Sequence, residues 1–285
     1  MNQRRLIAVL AFCLAAATSA AQTSDSQPLE SLVQVQVGNQ PITIRICRPN
    51  ANVPAPLVVI NHGSPPKPEQ RPTMKPTACN SEVATWFLRR GYIAAFPLRR
   101  GYGENGSNWP EEYGRCSDPD FVRGGLATAT DIDAAVRYLH ALPLVRTQGT
   151  IVVGQSAGGW GTIAYASTAP ASVAAFINFA GGRGGWAQGR ANTNCAPHAL
   201  IRSAGTYGKT ARAPMLWIYT ENDTFFSPDI SKSMYDAFVA SGGKAEYRLL
   251  HAFGSDGHGL FFGRGGSQIW GGVIEPFLAA LRGAN

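Results

Sequence analysis

Thr150-Ile151-Val152-Val153-Gly154-Gln155-Ser156-Ala157-Gly158 runs from a β-branched apolar segment through Gly-x-Ser-x-Gly, and Gly159-Trp160-Gly161-Thr162-Ile163-Ala164 continues it as a small-residue helix. That order is the sequence form of a sharp strand-to-helix turn that lifts one hydroxyl, here Ser156, out of the fold. A serine at such a turn is expected in a strained backbone conformation, and a side chain two residues to either side would collide with the neighbouring strand and helix. A chain with 32 glycines can show Gly-x-Ser-x-Gly by chance, so the flanking elements carry the reading.

Working outward, strand and helix signals alternate, the pattern of a parallel sheet covered by helices on both faces. Leu57-Val58-Val59-Ile60 is continuously apolar, as a strand buried on both sides should be, and ends in Asn61-His62-Gly63-Ser64-Pro65-Pro66. Residues 81–90 predict a helix closed by Gly91, 92–96 a strand, 126–142 a helix, 172–179 and 215–219 buried strands, 229–240 a helix, 245–250 a strand and 268–281 a terminal helix. Residues 31–37 and 42–46 alternate apolar with polar and predict an antiparallel edge hairpin. Two long connections stand out: 99–123, where Trp109, Tyr113 and Cys116 favour an ordered loop, and the Gly/Arg-rich insertion 181–213.

At 285 residues without a linker or charge block, the expectation is one domain over 22–285. The basic start Met1 to Arg5, the apolar stretch Leu6 to Ala17 and the small residues Thr18 to Ala21 read as a secretory signal peptide over 1–21, cleaved near Ala20 or Ala21. The apolar part falls short of the roughly 20 residues of a spanning helix, so no stable membrane insertion is expected, and the chain is expected to be secreted or periplasmic. Cleavage would remove Cys13 and leave Cys47, Cys79, Cys116 and Cys195, an even set that predicts two disulfides in an oxidising compartment. Sequence permits three pairings; the preferred one joins Cys79 with Cys116 and Cys47 with Cys195. Metal-ligand spacing is lacking. The net charge of +7 is dispersed, with arginine pairs at 89–90 and 99–100 but no basic stripe, so nucleic acid is not an expected partner.

A serine hydroxyl needs a histidine base, and that histidine needs a carboxylate to fix its tautomer. Asp223 follows the strand 215–219, and His258, in Gly257-His258-Gly259, follows the strand 245–250, so both fall in strand-end loops. Asp223 is preferred to Glu221, which is expected on the strand end, and glycine-bracketed His258 to His251. Asp256 reads as a turn residue and His62 as a brace for its loop. An oxyanion would need two amides: Ala157, directly after the serine, and one from the loop after Ile60, where Pro65 and Pro66 have no N–H, which leaves Gly63 or Ser64, with Ser64 chosen.

Together, His62-Gly63, Arg99-Arg100-Gly101-Tyr102-Gly103, the Ser156 turn, Asp223 to Pro228 and Gly257-His258-Gly259 resemble the α/β-hydrolase superfamily. Within it the chain is similar to the dienelactone hydrolase and prolyl oligopeptidase (S9) catalytic-domain group over about residues 31–283. The resemblance implies an α/β-hydrolase fold, with a mostly parallel central sheet, helices on both faces and an N-terminal antiparallel hairpin. It also implies a Ser156, Asp223, His258 triad needing no metal or cofactor. Serine stands where dienelactone hydrolases carry cysteine, and no room for an N-terminal propeller is expected. The expected activity is cleavage of a small-molecule or polymeric carboxylic ester. A peptidase, for which Glu111-Glu112 could serve the substrate amine, and a silent binding protein are the alternatives. Trp109, Trp160, Trp186, Arg183 and Arg190 are the candidate substrate-lining residues.

Overall fold

The computed structural model describes residues 28–105 and 108–283 of the chain, and the expected signal peptide at 1–21 lies outside them. In chain order the elements are β1 (Leu29–Val37), β2 (Gln40–Arg48), β3 (Leu57–Asn61), α1 (Glu82–Leu88), β4 (Ile93–Leu98), β5 (Gly114–Arg115), β6 (Asp118–Pro119) and α2 (Phe121–His140). They continue with β7 (Thr150–Gln155), α3 (Ala157–Ala166), β8 (Val173–Phe179), α4 (Pro197–Gly208), β9 (Met215–Thr220), α5 (Pro228–Ala240), β10 (Ala245–Leu250) and α6 (Gly266–Gly283).

Eight strands form one sheet in the order β1-β2-β4-β3-β7-β8-β9-β10. β1 and β2 form the antiparallel edge hairpin and β2 lies antiparallel to β4, whereas every pairing from β4 through β10 is parallel. Side chains alternate across a strand, so one continuously apolar run feeds two cores. Leu57, Val59 and Val152 face the core built with α2, α3, α4 and α5, while Val58, Ile60, Ile151 and Val153 face the core built with α1 and α6. β7 therefore lies between β3 and β8 with both faces covered, and the residues at its carboxyl end are fixed by packing on every side.

Three elements differ from the sequence reading. α2 begins at Phe121, five residues before the expected start, because the Asp120 side chain accepts the Arg123 N–H and caps the helix. The insertion contains α4, which buries Leu200, Ala204 and Tyr207. The disulfides join Cys47 to Cys79 and Cys116 to Cys195, in place of the preferred pairing. The cause is the sheet order: β2 lies beside β4 under α1, so buried Cys47 meets Cys79 just before that helix, while the short β5-β6 hairpin carries Cys116 to the insertion.

One buried carboxylate couples this core to pH. Asp131 of α2 has no exposed surface and accepts both the backbone N–H and Nε of Arg100, yet burial outweighs the arginine and raises its pKa from 3.8 to about 6. An acid raised on folding binds its proton more tightly in the folded state, so its contribution to stability is complete below about 4 and is lost as pH rises through about 6. Relative to Asp131→Asn, the wild type should lose up to roughly 3 kcal/mol across that window, read from thermal melts at stepped pH. Equal slopes for the two proteins would refute the assignment.

Candidate active site

Ser156 joins β7 to α3 with φ 55° and ψ −120°, a conformation that L-residues rarely adopt. Its N–H donates to Phe179 of β8, and its carbonyl accepts the Trp160 and Gly182 amides, so both ends of the strained residue are pinned. The flanking glycines are required by space. A Cβ on Gly154 would lie 2.2 Å from the Gly158 carbonyl oxygen, and one on Gly158 would lie 2.4 Å from that of His62, backbone atoms with no freedom to move.

Asp223 and His258 meet although 35 residues separate them. Both Asp223 oxygens lie 3.1 Å from His258 Nδ1, and Oδ1 also accepts the Phe225 and Phe226 amides at 2.8 and 2.9 Å. A carboxylate so placed fixes the proton on Nδ1 and leaves Nε2 as an acceptor. The imidazole is 4.1 Å from the Phe225 ring in a stacked arrangement, and Gln155, beside Ser156, donates from Nε2 to the His258 carbonyl at 3.0 Å. Glu221 and His251 instead face each other at 3.4 Å on the surface, with His251 almost fully exposed.

A cleft of about 510 Å³ opens over Ser156, Ala157 and Ser64. Trp109, Trp186 and Arg183 line it; Phe225 and Phe226 form the wall on the His258 side. Trp160 does not reach it: its ring is fully buried in the core and its indole N–H donates to the Phe121 carbonyl. Adjacency to Ser156 in sequence misleads there, because α3 turns that side chain away towards α2. Arg190 also lies outside the lining, exposed and bonded to Gln188.

Beneath the cleft is an ion cluster. Glu111 is fully buried and accepts from Arg99 Nε and Nη2, Arg183 Nη2 and Tyr102 Oη. Burial pushes the Glu111 carboxyl up, but the Arg99 and Arg183 charges outweigh it and hold it well below the usual carboxylate range. Since the one phenolic proton of Tyr102 goes to Glu111, Ser64 Oγ must donate its proton to the Tyr102 oxygen, 2.5 Å away. Arg99 also clamps His62, donating from Nη1 to its carbonyl and from its amide to Nε2, while His62 Nδ1 donates to Gly63 O. Burial and then the Arg99 charge lower His62 to about 3, so it stays neutral with both ring nitrogens occupied, as a brace for its loop.

The fold has well-sampled counterparts. A Pyrococcus horikoshii acylaminoacyl peptidase superposes with a TM-score of 0.61 at 16% identity, over 82% of this chain and 38% of the peptidase. A Klebsiella pneumoniae protein assigned as a dienelactone hydrolase gives 0.62 at 15% identity over 88% and 98% of the two chains, and a Pyrococcus furiosus esterase 0.56 at 16% over 79% and 84%. At such identities the likeness shows the fold alone, and this chain spans well under half of the peptidase. No curated protein sequence matches. The family model that does match covers residues 75–267, more than half of the chain and both strand-end loops together with the Ser156 turn, and by that match the chain belongs to the dienelactone hydrolase family.

Proposed function

We propose that the protein is an exported serine hydrolase that cleaves a carboxylic ester through an acyl-enzyme. The carrying observation is Ser156, held at φ 55° on the floor of a cleft whose Phe225 wall stacks on a histidine already oriented by Asp223. In this mechanism Ser156 Oγ attacks the ester carbonyl while His258 Nε2 takes its proton, and the tetrahedral oxyanion forms between the Ala157 and Ser64 amides. His258 then returns the proton to the departing alkoxide, and water repeats the sequence to release the acid. Ala157 opens α3, so its amide has no acceptor within the helix, and the Ser64 amide has none among the described residues. Export is supported by the signal-peptide-like sequence of residues 1–21 and by the two disulfides, and no described helix is long and apolar enough to cross a membrane.

The charges around the cleft favour an ester over an aminoacyl substrate. Lys67, Arg71 and Arg183 line it, and among the described residues no carboxylate does. Glu111, which the sequence offered for a substrate amine, is buried outside the lining and already saturated by two arginines and a tyrosine. An ammonium group would thus enter a field of its own sign. The expected result with p-nitrophenyl esters is turnover that favours a neutral or carboxylate-bearing acyl chain over a cationic one, with the preference shrinking as salt is added. Aminoacyl p-nitroanilides should be poor substrates, and their selective hydrolysis would establish a peptidase instead.

A further inference from the structure

Among the described residues, seven non-glycine positions have positive φ, and four of them, Trp186, Gln188, Asn192 and Ala196, fall in one short loop of the insertion. Strain so concentrated persists only where the surroundings enforce it. The Cys116–Cys195 disulfide and the Cys195 amide, which donates to the Gly184 carbonyl, fasten the base of this loop. Its tip docks on the segment bearing Asp223: the Asn192 amide donates to the Thr224 carbonyl and Asn194 Nδ2 to that of Phe225.

Trp186 stands between the cleft and the base. The residue, 40% exposed, lines the cleft. It stacks on Phe225 at 5.5 Å, and Phe225 in turn stacks on His258 at 4.1 Å. A second route is polar: Trp186 Nε1 donates to Thr224 Oγ1 at 2.9 Å, and Thr224 Oγ1 donates to Asp256 Oδ2 at 2.7 Å. Asp256 Oδ1 accepts the amides of Thr224 and of His258. Asp256 is thus more than a turn former; it ties the backbone of His258 to the segment that Trp186 holds.

We propose that Trp186 is both a cleft contact and a positioning residue for His258, acting through Phe225 and through Thr224 and Asp256, so that what occupies the cleft and where the base stands are coupled. This rests on the reading of His258 as the general base. Thr224 separates the two roles, since it carries the relay without lining the cleft.

The test is steady-state kinetics with one p-nitrophenyl ester across pH for Thr224→Val, Thr224→Ser, Trp186→Phe, Trp186→Ala and His258→Ala, with thermal melts establishing folding. Thr224→Val should lower kcat about tenfold with KM near wild type and displace the acidic limb of the pH profile, and Thr224→Ser should restore both. Trp186→Ala should lower kcat and raise KM together. Trp186→Phe keeps a ring but loses the donor, should resemble Thr224→Val in kcat, and decides the matter if the valine variant does not fold. Wild-type kcat and pH profile in Thr224→Val and Trp186→Phe, with only KM altered in Trp186→Ala, would overturn the coupling while an inactive His258→Ala left the mechanism standing. Full turnover by His258→Ala would remove the mechanism and the coupling together.

Discussion

Ser156→Ala should abolish ester turnover, by about four orders of magnitude or more, without unfolding the protein. The hydroxyl oxygen is the only heavy atom removed. The bonds that fix the turn run through the Ser156 amide and carbonyl, to Phe179, Trp160 and Gly182, and the alanine retains all of them. Alanine at φ 55° keeps the strain it inherits without adding to it. The variant's melting temperature should therefore stay within a few degrees of the wild type, and its hydrolysis of p-nitrophenyl esters should fall to background. Near-normal turnover in a folded variant would exclude the acyl-enzyme mechanism.

The largest effect on stability is expected from Glu111→Gln. The substitution keeps the shape of the side chain but leaves the guanidiniums of Arg99 and Arg183, at 0% and 4% exposure, without a counter-charge. Breaking a buried ion cluster by removing one partner costs about 3 to 5 kcal/mol, here a fall of roughly 10 °C in Tm. Replacing Arg99 with Met in the same protein should recover part of that loss, because one stranded charge is then absent. Non-additivity of this sign in melts of the two single variants and the double variant is the check. The pH dependence has the opposite sense to that of Asp131. The Glu111 pKa is depressed on folding, so its contribution is present above the ordinary carboxylate value and is lost as pH falls towards the folded one. Acid unfolding should accordingly move to higher pH in proteins that carry further perturbations of the cluster, such as Arg183→Met.

How much of this was legible in the sequence depends on the range of the interactions. Leu57 to Ile60 and Thr150 to Val153 announce buried parallel strands because a strand covered on both faces can hold little but apolar residues. Ser156, Asp223 and His258 could be singled out because strand-end loops follow from local pattern. The role of Glu111 could not. Beside Glu112 it reads only as an acid that could meet a substrate amine, because the arginines that enclose it lie 12 and 72 residues away. The disulfides failed for the same reason: pairing follows the spatial order of β2, β4 and the insertion, which cysteine spacing does not encode. α4 was hidden by Gly, Ala and Ser in a segment whose buried apolar residues are Leu200, Ala204 and Tyr207. Asp120, a cap visible in the sequence, was the one available signal for the true start of α2.

The most direct measurement is covalent labelling of the folded protein with a fluorophosphonate, followed by peptide mapping, alongside His258→Ala. A serine made nucleophilic by its setting should give a single adduct on the peptide containing Ser156, formed far more slowly in the histidine variant. An unlabelled Ser156 in protein that still hydrolyses esters would contradict the assignment of this residue as the nucleophile.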